Sequence, residues 1–280
     1  MANNKTNKSL QIGEIPNEDN ETTQDILNRM LEQAKITEAE EKDKPKLKWI
    51  TELTKKEFYT MFVEHLYNEK GIKFIKDADF EPIQAVLQYF IQDKEFYNND
   101  SVRNNPRFHK GLLCMGNPGT LKTETLYTIG KIWNKLLPAA PRNVEKITFC
   151  SASQFISNLQ SFSKEQLFIE IKKIEAAPNL IIDDLKTERN LSNYGKFNIF
   201  DSILHNRSHF GSNKKTFITA NYNGKCICQL SRCKCGFNPK LDNDFQAGMQ
   251  EFRIKYSDQV FDKLYEMCNI IEFKGESKRF

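Results

Sequence analysis

The sequence lacks any run of about eighteen apolar residues, so it predicts no membrane-spanning helix. Residues 1–20 are polar and lack the apolar segment of a secretory signal, which favours a cytoplasmic protein. The net charge is only +4, which permits contact with nucleic acid but does not by itself indicate it. Seven cysteines are an odd number, so we expect reduced thiols or metal ligands instead of a disulfide framework.

The length of 280 residues is typical of one sizeable domain with an appendage, and 39% hydrophobic residues suffice for its core. Residues 1–48 are polar, and the charged stretch at 38–45 predicts a flexible tail. The alternative for this tail is an arm that folds on contact with a partner. Residues 49–105 form a predicted helical lead-in, with Phe58 and Phe62 on one helix face and Val86 and Phe90 on another.

From residue 106 onward, predicted strands alternate with predicted helices. The strand segments are short, nearly continuous apolar runs, which are typical of a parallel sheet covered on both faces. They lie at 111–115, 147–150, 179–184, 216–219 and 270–273. Ligands of such sheets bind at the carboxyl ends of the strands, so we expect the functional site at that edge.

The segment GNPGTLKT at 116–123 is a phosphate-binding loop, G-x-x-x-x-G-K-[ST], in which Leu121 replaces the last glycine. An apolar strand precedes it and an amphipathic helix follows it, so the loop meets a helix N-terminus, which favours anions. In such loops the lysine reaches the phosphates and the threonine hydroxyl binds Mg²⁺. The predicted nucleotide-binding residues of this stretch are Gly116, Asn117, Pro118, Gly119, Thr120, Leu121, Lys122, Thr123 and Glu124.

Two adjacent acids, Asp183 and Asp184, follow the apolar residues of the third predicted strand. Neighbouring residues of a strand point to opposite sides, so we expect one carboxylate to bind Mg²⁺ and the other to polarise the attacking water. The alternative is a strand end that merely faces solvent. Asn221 ends the fourth strand and is a candidate contact for water or the γ-phosphate, although asparagine also commonly ends strands.

The order GNPGTLKT, LIIDDL, TFITANYN and VFDKLYEMCNIIEFKGESKR resembles the AAA+ ATPases of the DnaC/IstB type, which are bacterial and phage helicase loaders and transposition helper ATPases. The resemblance covers about 107–280 and is most specific in the last stretch. It implies an α/β fold, the P-loop AAA+ (ASCE) three-layer sandwich with a five-stranded parallel sheet. It also implies ATP and Mg²⁺, a homo-oligomer, and a bacterial or phage-infected host cytoplasm.

The same resemblance assigns roles to individual residues. It implies that Lys122 and Thr123 bind the phosphates and Mg²⁺, and that Asp183 is the carboxylate next to the metal. Asp184 activates water, and Asn221 senses the γ-phosphate. The arginine that senses nucleotide within the same subunit corresponds to Arg279.

Two departures from the family pattern predict slow hydrolysis. If position 121 requires a positive φ, a leucine there raises the conformational energy of the loop by about 1–2 kcal/mol. Lys263 stands where the family has an arginine that reaches the neighbouring subunit's ATP, and lysine lacks the planar donors of that group. Arg207 and Arg253 are candidates for the missing charge, although the alternative for each is an ordinary surface arginine.

A cysteine-rich insertion at 224–245 is unlike the usual family member. Its four cysteines are Cys226, Cys228, Cys233 and Cys235. Four thiolates suit a tetrahedral Zn²⁺ site, although C-x-C is tighter than the usual spacing. The alternatives are incidental thiols in a flexible loop or a redox-labile cluster. Nearby lysines and an arginine make the insertion basic, which suits contact with a phosphate backbone.

Two functions therefore compete. The first is an ATPase that acts as an oligomer on DNA or single-stranded DNA, assisting a replicative helicase or a transposase. The second is a nucleotide-binding scaffold with weakened catalysis, which recruits a protein partner through its N-terminal arm.

Overall fold

The computed structural model describes Arg29, Glu32 and residues 47–73, 80–188, 198–209, 214–222 and 244–275. The chain divides into two units, Met1–Lys46 and Leu47–Phe280. Within the first unit only Arg29 and Glu32 are described, and both are helical. The predicted flexible tail therefore lies almost wholly outside the described residues. Among the residues that are described, no helix has the length and apolar content needed to cross a bilayer.

Five parallel strands form one sheet in the order β2-β3-β4-β1-β5. The strands are β1 (Gly111–Gly116), β2 (Ile147–Ser151), β3 (Asn179–Leu185), β4 (Lys215–Asn221) and β5 (Cys268–Phe273). Each overlaps a segment predicted from its apolar run. Strand β4, which ends in Asn221, lies between the strand of the phosphate loop and the strand of the two acids. This is the strand arrangement of the AAA+ P-loop fold, so the predicted fold class is confirmed.

Helices cover both faces of the sheet. They are α1 (Lys55–Lys70), α2 (Phe80–Phe90), α3 (Lys122–Leu136), α4 (Ala152–Leu159), α5 (Lys164–Ala176), α6 (Ile199–Ser208), α7 (Asp244–Lys255) and α8 (Asp258–Met267). Short 3-10 helices lie at Ile50–Glu52, Lys94–Asn98 and Leu137–Ala139. Alternate residues of β1 enter opposite cores, because successive strand side chains point to opposite faces. Leu112 and Cys114 pack with α1, α2 and α3, whereas Leu113 and Met115 pack with α4, α6, α7 and α8.

The helical lead-in packs directly on the sheet. Phe90 of α2 lies 5.3 Å from Phe217 of β4 between ring centroids, and Trp133 of α3 lies 5.9 Å from Phe90. Aromatic pairs of this kind add to the burial of apolar surface. Helix α1 begins with a capping box at Thr54 and Glu57, which satisfies the first backbone N–H groups. The lead-in therefore lies with α3 in one of the two helical layers that cover the sheet.

Helix α7 was missed by the sequence analysis, which ended the cysteine-rich insertion at residue 245. Its buried side chains, Phe245, Met249 and Phe252, recur at helical spacing and continue to Tyr256. They pack in the core beneath the sheet together with α6 and α8. The periodicity was present in the sequence, so this helix was predictable.

Candidate functional site: a phosphate-binding loop and two acidic residues

The phosphate-binding loop, the two acids and Asn221 lie at the carboxyl edge of the sheet, as the sequence predicts. Gly116 pairs with Asn221 between β1 and β4, and Asp183 pairs with Ser151 between β2 and β3. The register between β3 and β4 shifts between Ile182 and Leu185. This irregularity falls at the two acids, where β3 departs from regular pairing with β4.

The backbone of the loop makes a close turn between β1 and α3. A Cβ atom on Gly116 would lie 2.0 Å from the carbonyl oxygen of Phe273, so only glycine fits there. Gly119 has φ 86°. Leu121 has φ 63° and ψ 14°, directly before the first residue of α3. The position of Leu121 thus requires the left-handed conformation, and the steric cost expected for leucine of about 1–2 kcal/mol applies.

The ammonium group of Lys122 lies inside the loop. Its Nζ donates to the carbonyl oxygens of Gly116 at 3.0 Å and Asn117 at 2.6 Å, and to Thr120 Oγ1 at 3.1 Å. Only 4% of Lys122 is exposed, so these acceptors compensate for the loss of solvent around the charge. The lysine is therefore held at the centre of the loop, next to the N-terminus of α3.

Thr123 and Asp183 are brought together across the edge of the sheet. Thr123 Oγ1 donates to Asp183 Oδ1 at 2.7 Å. A hydroxyl and a carboxylate oxygen are the hard ligands that Mg²⁺ takes, usually together with waters and substrate phosphates. With the helix N-terminus and Lys122 beside them, these two side chains fit a Mg²⁺ ion that accompanies a polyphosphate.

Thr219 on β4 connects the two acids, and the sequence analysis did not identify it. Its Oγ1 donates to Asp183 Oδ1 at 2.6 Å and accepts from the backbone N–H of Asp184 at 2.8 Å. Thr219 is 1% exposed. It lies two residues before Asn221 and so on the same face of β4, and this spacing is the sequence signal that could have identified it.

Asp184 has hydrogen-bond partners different from those of Asp183. Its Oδ1 accepts a hydrogen bond from Asn221 Nδ2 at 2.5 Å. Its backbone has φ 56°, and its carbonyl oxygen accepts from Thr187 Oγ1 at 2.6 Å. The carboxylate is thus oriented from β4, while its backbone is held in a tight turn.

Arg207 does not lie at this edge, and its prediction as a catalytic arginine is corrected. It is 1% exposed, and burial lowers its pKa to about 10. Its guanidinium donates to Thr216 Oγ1 and to the carbonyl oxygens of Ile174, Glu175, Ala177 and Lys215 at 2.7–3.1 Å. Lys215 begins β4, so Arg207 joins elements at the edge of the sheet opposite the phosphate-binding loop, where its guanidinium is fully engaged in these hydrogen bonds.

Three other predicted or alternative site residues lie on helix surfaces. Lys263 on α8 pairs with Glu266 at 2.5 Å, and Arg253 on α7 pairs with Asp258 at 2.7 Å. Both are partly exposed and accessible to another molecule. Glu124, in the first turn of α3, lies 3.3 Å from Lys70 of α1 and so joins the loop helix to the lead-in.

The remaining predicted residues, Arg279 and the four cysteines of the insertion, lie outside the described residues. Gly275, which follows β5, lies close to the loop, because Asn117 Nδ2 donates to its carbonyl oxygen at 3.4 Å. Within the described ranges, no cluster of three or more histidine, cysteine, aspartate or glutamate side chains is arranged to hold a metal.

No family model matches the sequence, and no curated protein matches it. Several solved structures align with the chain at low sequence identity. The crystal structure of the DnaC helicase loader aligns with a TM-score of 0.46 at 21% identity, over 75% of this chain and 99% of that one. The crystal structure of DnaI aligns with a TM-score of 0.41 at 17% identity, over 77% and 93%.

AMPPCP-bound DnaA from Aquifex aeolicus aligns with a TM-score of 0.41 at 14% identity, over 73% of this chain and 49% of that one. By its own strand order and the position of its phosphate-binding loop, the chain has the AAA+ P-loop fold.

Proposed function

We propose that this protein is an ATPase that binds ATP with Mg²⁺ and acts as a homo-oligomer on DNA. Its proposed location is the cytoplasm of a bacterium or of a phage-infected host cell. The proposal rests on the hydrogen bond from Thr123 Oγ1 to Asp183 Oδ1, which lies beside the buried ammonium of Lys122. These groups have the chemistry that a metal-bound polyphosphate needs.

The side chains divide the work at this site. ATP with Mg²⁺ would supply a terminal phosphoryl group, which would pass to water to form inorganic phosphate while ADP leaves. Lys122 would bind phosphate oxygens, and Thr123 and Asp183 would hold the metal. Asp184 would accept the proton of the attacking water, and Asn221 keeps its carboxylate oriented through the hydrogen bond at 2.5 Å.

The proposed biological role is that of a helicase loader or an accessory factor in replication or transposition. The partner would be a replicative helicase or a transposase, and the nucleic acid would be DNA, including single-stranded DNA. The support is the resemblance of the four sequence motifs, which extends beyond the phosphate loop to the last strand. The basic insertion at 224–245 is the proposed DNA contact.

A second function, a nucleotide-binding scaffold with weakened catalysis, is favoured by the positions of Arg207 and Lys263. Arg207 is buried at the wrong edge of the sheet, and Lys263 occupies the position expected for the arginine finger. An arginine finger contributes several orders of magnitude to turnover, so its replacement predicts slow hydrolysis. In this alternative the N-terminal arm, residues 1–48, recruits the partner.

A steady-state ATPase assay with and without single-stranded DNA separates the two functions, with Lys122→Ala as the control. The ATPase predicts turnover that DNA stimulates and that Lys122→Ala removes. The scaffold predicts binding of a labelled ATP analogue without turnover under either condition. Equal affinity of the unaltered protein and Lys122→Ala for that analogue would contradict both, because loss of the phosphate contact should weaken binding about ten-fold or more.

A further inference from the structure

The turn that follows the two acids has an unusual backbone. Asp184 has φ 56° and Lys186 has φ 83°, so two residues with side chains adopt left-handed conformations within three positions. Such conformations are unfavourable for residues other than glycine, and they persist only where the surroundings determine them. The hydrogen bonds from Thr187 to the Asp184 carbonyl oxygen close the turn but do not hold it against the rest of the molecule.

Helix α7 holds this turn through Lys186. The ammonium of Lys186 forms an ion pair with Glu251 Oε2 of α7, and the two side chains are 0% and 1% exposed. The same ammonium lies 5.0 Å from the ring centroid of Phe252. A fully buried charge pair of this kind tolerates little movement, because separating the charges leaves each without solvent.

The C-terminal end of α7 makes a second connection to the same segment. Lys255 Nζ donates to the carbonyl oxygens of Lys186 at 2.5 Å and Glu188 at 2.7 Å. The next residue, Tyr256, donates its hydroxyl to Glu188 Oε1 at 2.7 Å. Side chains from α7 and its end therefore bond to both the backbone and the side chains that follow Asp184.

Helix α7 is itself fixed against the ends of two site strands. A Cβ on Gly248 would lie 2.5 Å from Cδ1 of Tyr222 and 2.9 Å from Cε of Met115. Met115 directly precedes the phosphate loop, and Tyr222 directly follows Asn221. Helix α7 thus contacts β1, the end of β4 and the turn after β3. It can therefore transmit the positions of β1 and β4 to Asp184.

We propose that Lys186 and Glu251 are positioning residues that hold Asp184 against the phosphate-binding loop through α7. The inference rests on the proposed role of Asp184 in hydrolysis and extends it to a fully buried pair, Lys186 and Glu251. The pair sets the backbone of the turn, and the turn sets the direction of the Asp184 carboxylate relative to Thr123 and Lys122.

The test uses Glu251→Asp and Glu251→Gln in the full chain. Glu251→Asp keeps a charge opposite Lys186 but shortens the side chain, so it should fold even where Glu251→Gln does not. Glu175→Gln is the matched control, because Glu175 is also a buried carboxylate paired with a lysine, Lys172, at the opposite edge of the sheet. Thermal unfolding of all three variants shows how much each loses in stability.

Two readouts are expected to change in the Glu251 variants and not in Glu175→Gln. Hydrogen exchange of the amides in 184–188 should become faster, whether or not ATP is hydrolysed. Turnover at saturating ATP should fall about ten-fold or more, because small displacements of catalytic groups reduce rates strongly, while the affinity for an ATP analogue stays the same. In an Asp184→Asn background, Glu251→Asp should cause no further loss of turnover.

Unchanged exchange in 184–188 in Glu251→Asp would overturn the inference. So would additive losses of turnover in the double variant, since they would mean that Glu251 acts independently of Asp184. Failure of the proposed function gives a different result, which is an unaltered protein that hydrolyses no ATP while the exchange of 184–188 still responds to Glu251→Asp.

Discussion

Thr219 Oγ1 lies 2.6 Å from Asp183 Oδ1 and uses its single proton in that hydrogen bond. The same oxygen accepts the backbone N–H of Asp184. One hydroxyl of β4 therefore fixes the side chain of the first acid and the backbone of the second. The proposed metal ligand and the proposed water-activating acid are thus oriented by one neighbouring strand.

Replacing Thr219 by valine should destabilise the protein. The change keeps the shape but removes the Thr219 hydroxyl that accepts from the partly buried Asp184 N–H, which costs about 1–3 kcal/mol in the free energy of unfolding. Thr219→Ser retains the hydroxyl and is the control. Denaturant unfolding measures both, and a valine variant as stable as the serine variant would show that this hydrogen bond does not matter.

Asp184→Asn should lower turnover while leaving the affinity for ATP largely intact. The amide keeps the size of the side chain but cannot accept a proton from water. Single-turnover kinetics and titration of a labelled ATP analogue give the two quantities separately. A loss of affinity equal to the loss of rate would identify Asp184 as a metal ligand.

At position 121 glycine should be more stabilising than alanine. The φ of 63° disfavours any residue with a Cβ, so Leu121→Gly should exceed Leu121→Ala by about 1 kcal/mol in the free energy of unfolding. At Lys131, inside α3, the order should reverse by about the same amount, because glycine is the poorer helix former. The same order at both positions would argue against a left-handed residue 121.

Lys263→Arg should raise turnover in the assembled oligomer if residue 263 faces the neighbouring subunit's ATP. Arginine brings planar donors that lysine lacks. Lys131→Arg, on the surface of α3, is the control for a general effect of arginine. An unchanged rate with oligomerisation intact, measured by light scattering, would refute this placement of the finger.

The four cysteines of the insertion are proposed to bind about one Zn²⁺ per chain, as a closed tetrahedral site requires. Elemental analysis of protein purified without chelator tests this, and a four-serine variant should contain no zinc. The other three thiols, Cys114, Cys150 and Cys268, are buried. Burial raises the pKa of Cys150 and Cys268 to about 12 and that of Cys114 further.

A raised pKa leaves little thiolate near pH 8, so the three buried thiols should resist alkylation in the native protein. Chelator treatment should therefore expose only the four cysteines of the insertion. A zinc content near zero, or alkylation of those four cysteines in the native protein before chelation, would contradict the metal site. Either result would favour the alternative of a flexible basic loop.

The sequence by itself determined the features that depend on neighbouring residues. Apolar runs predicted all five strands, and the position of Lys122 and Thr123 between a strand and a helix predicted the phosphate-binding loop. Because parallel strands end at one edge, it also predicted that Asp183, Asp184 and Asn221 lie near that loop. Hydrophobic periodicity and strand direction depend on residues close together in the chain, so they can be predicted from the sequence.

Tertiary structure alone decided which distant groups meet. The burial of Arg207 at the far edge, the hydrogen bonds of Thr219 and the pairing of Lys186 with Glu251 each join residues from different elements. Periodicity tells which face of a helix is buried, but it does not tell which polar group on another element lies opposite. That depends on the packing of the helices against the sheet, because a buried charge or hydroxyl is stable only where the fold supplies its partner.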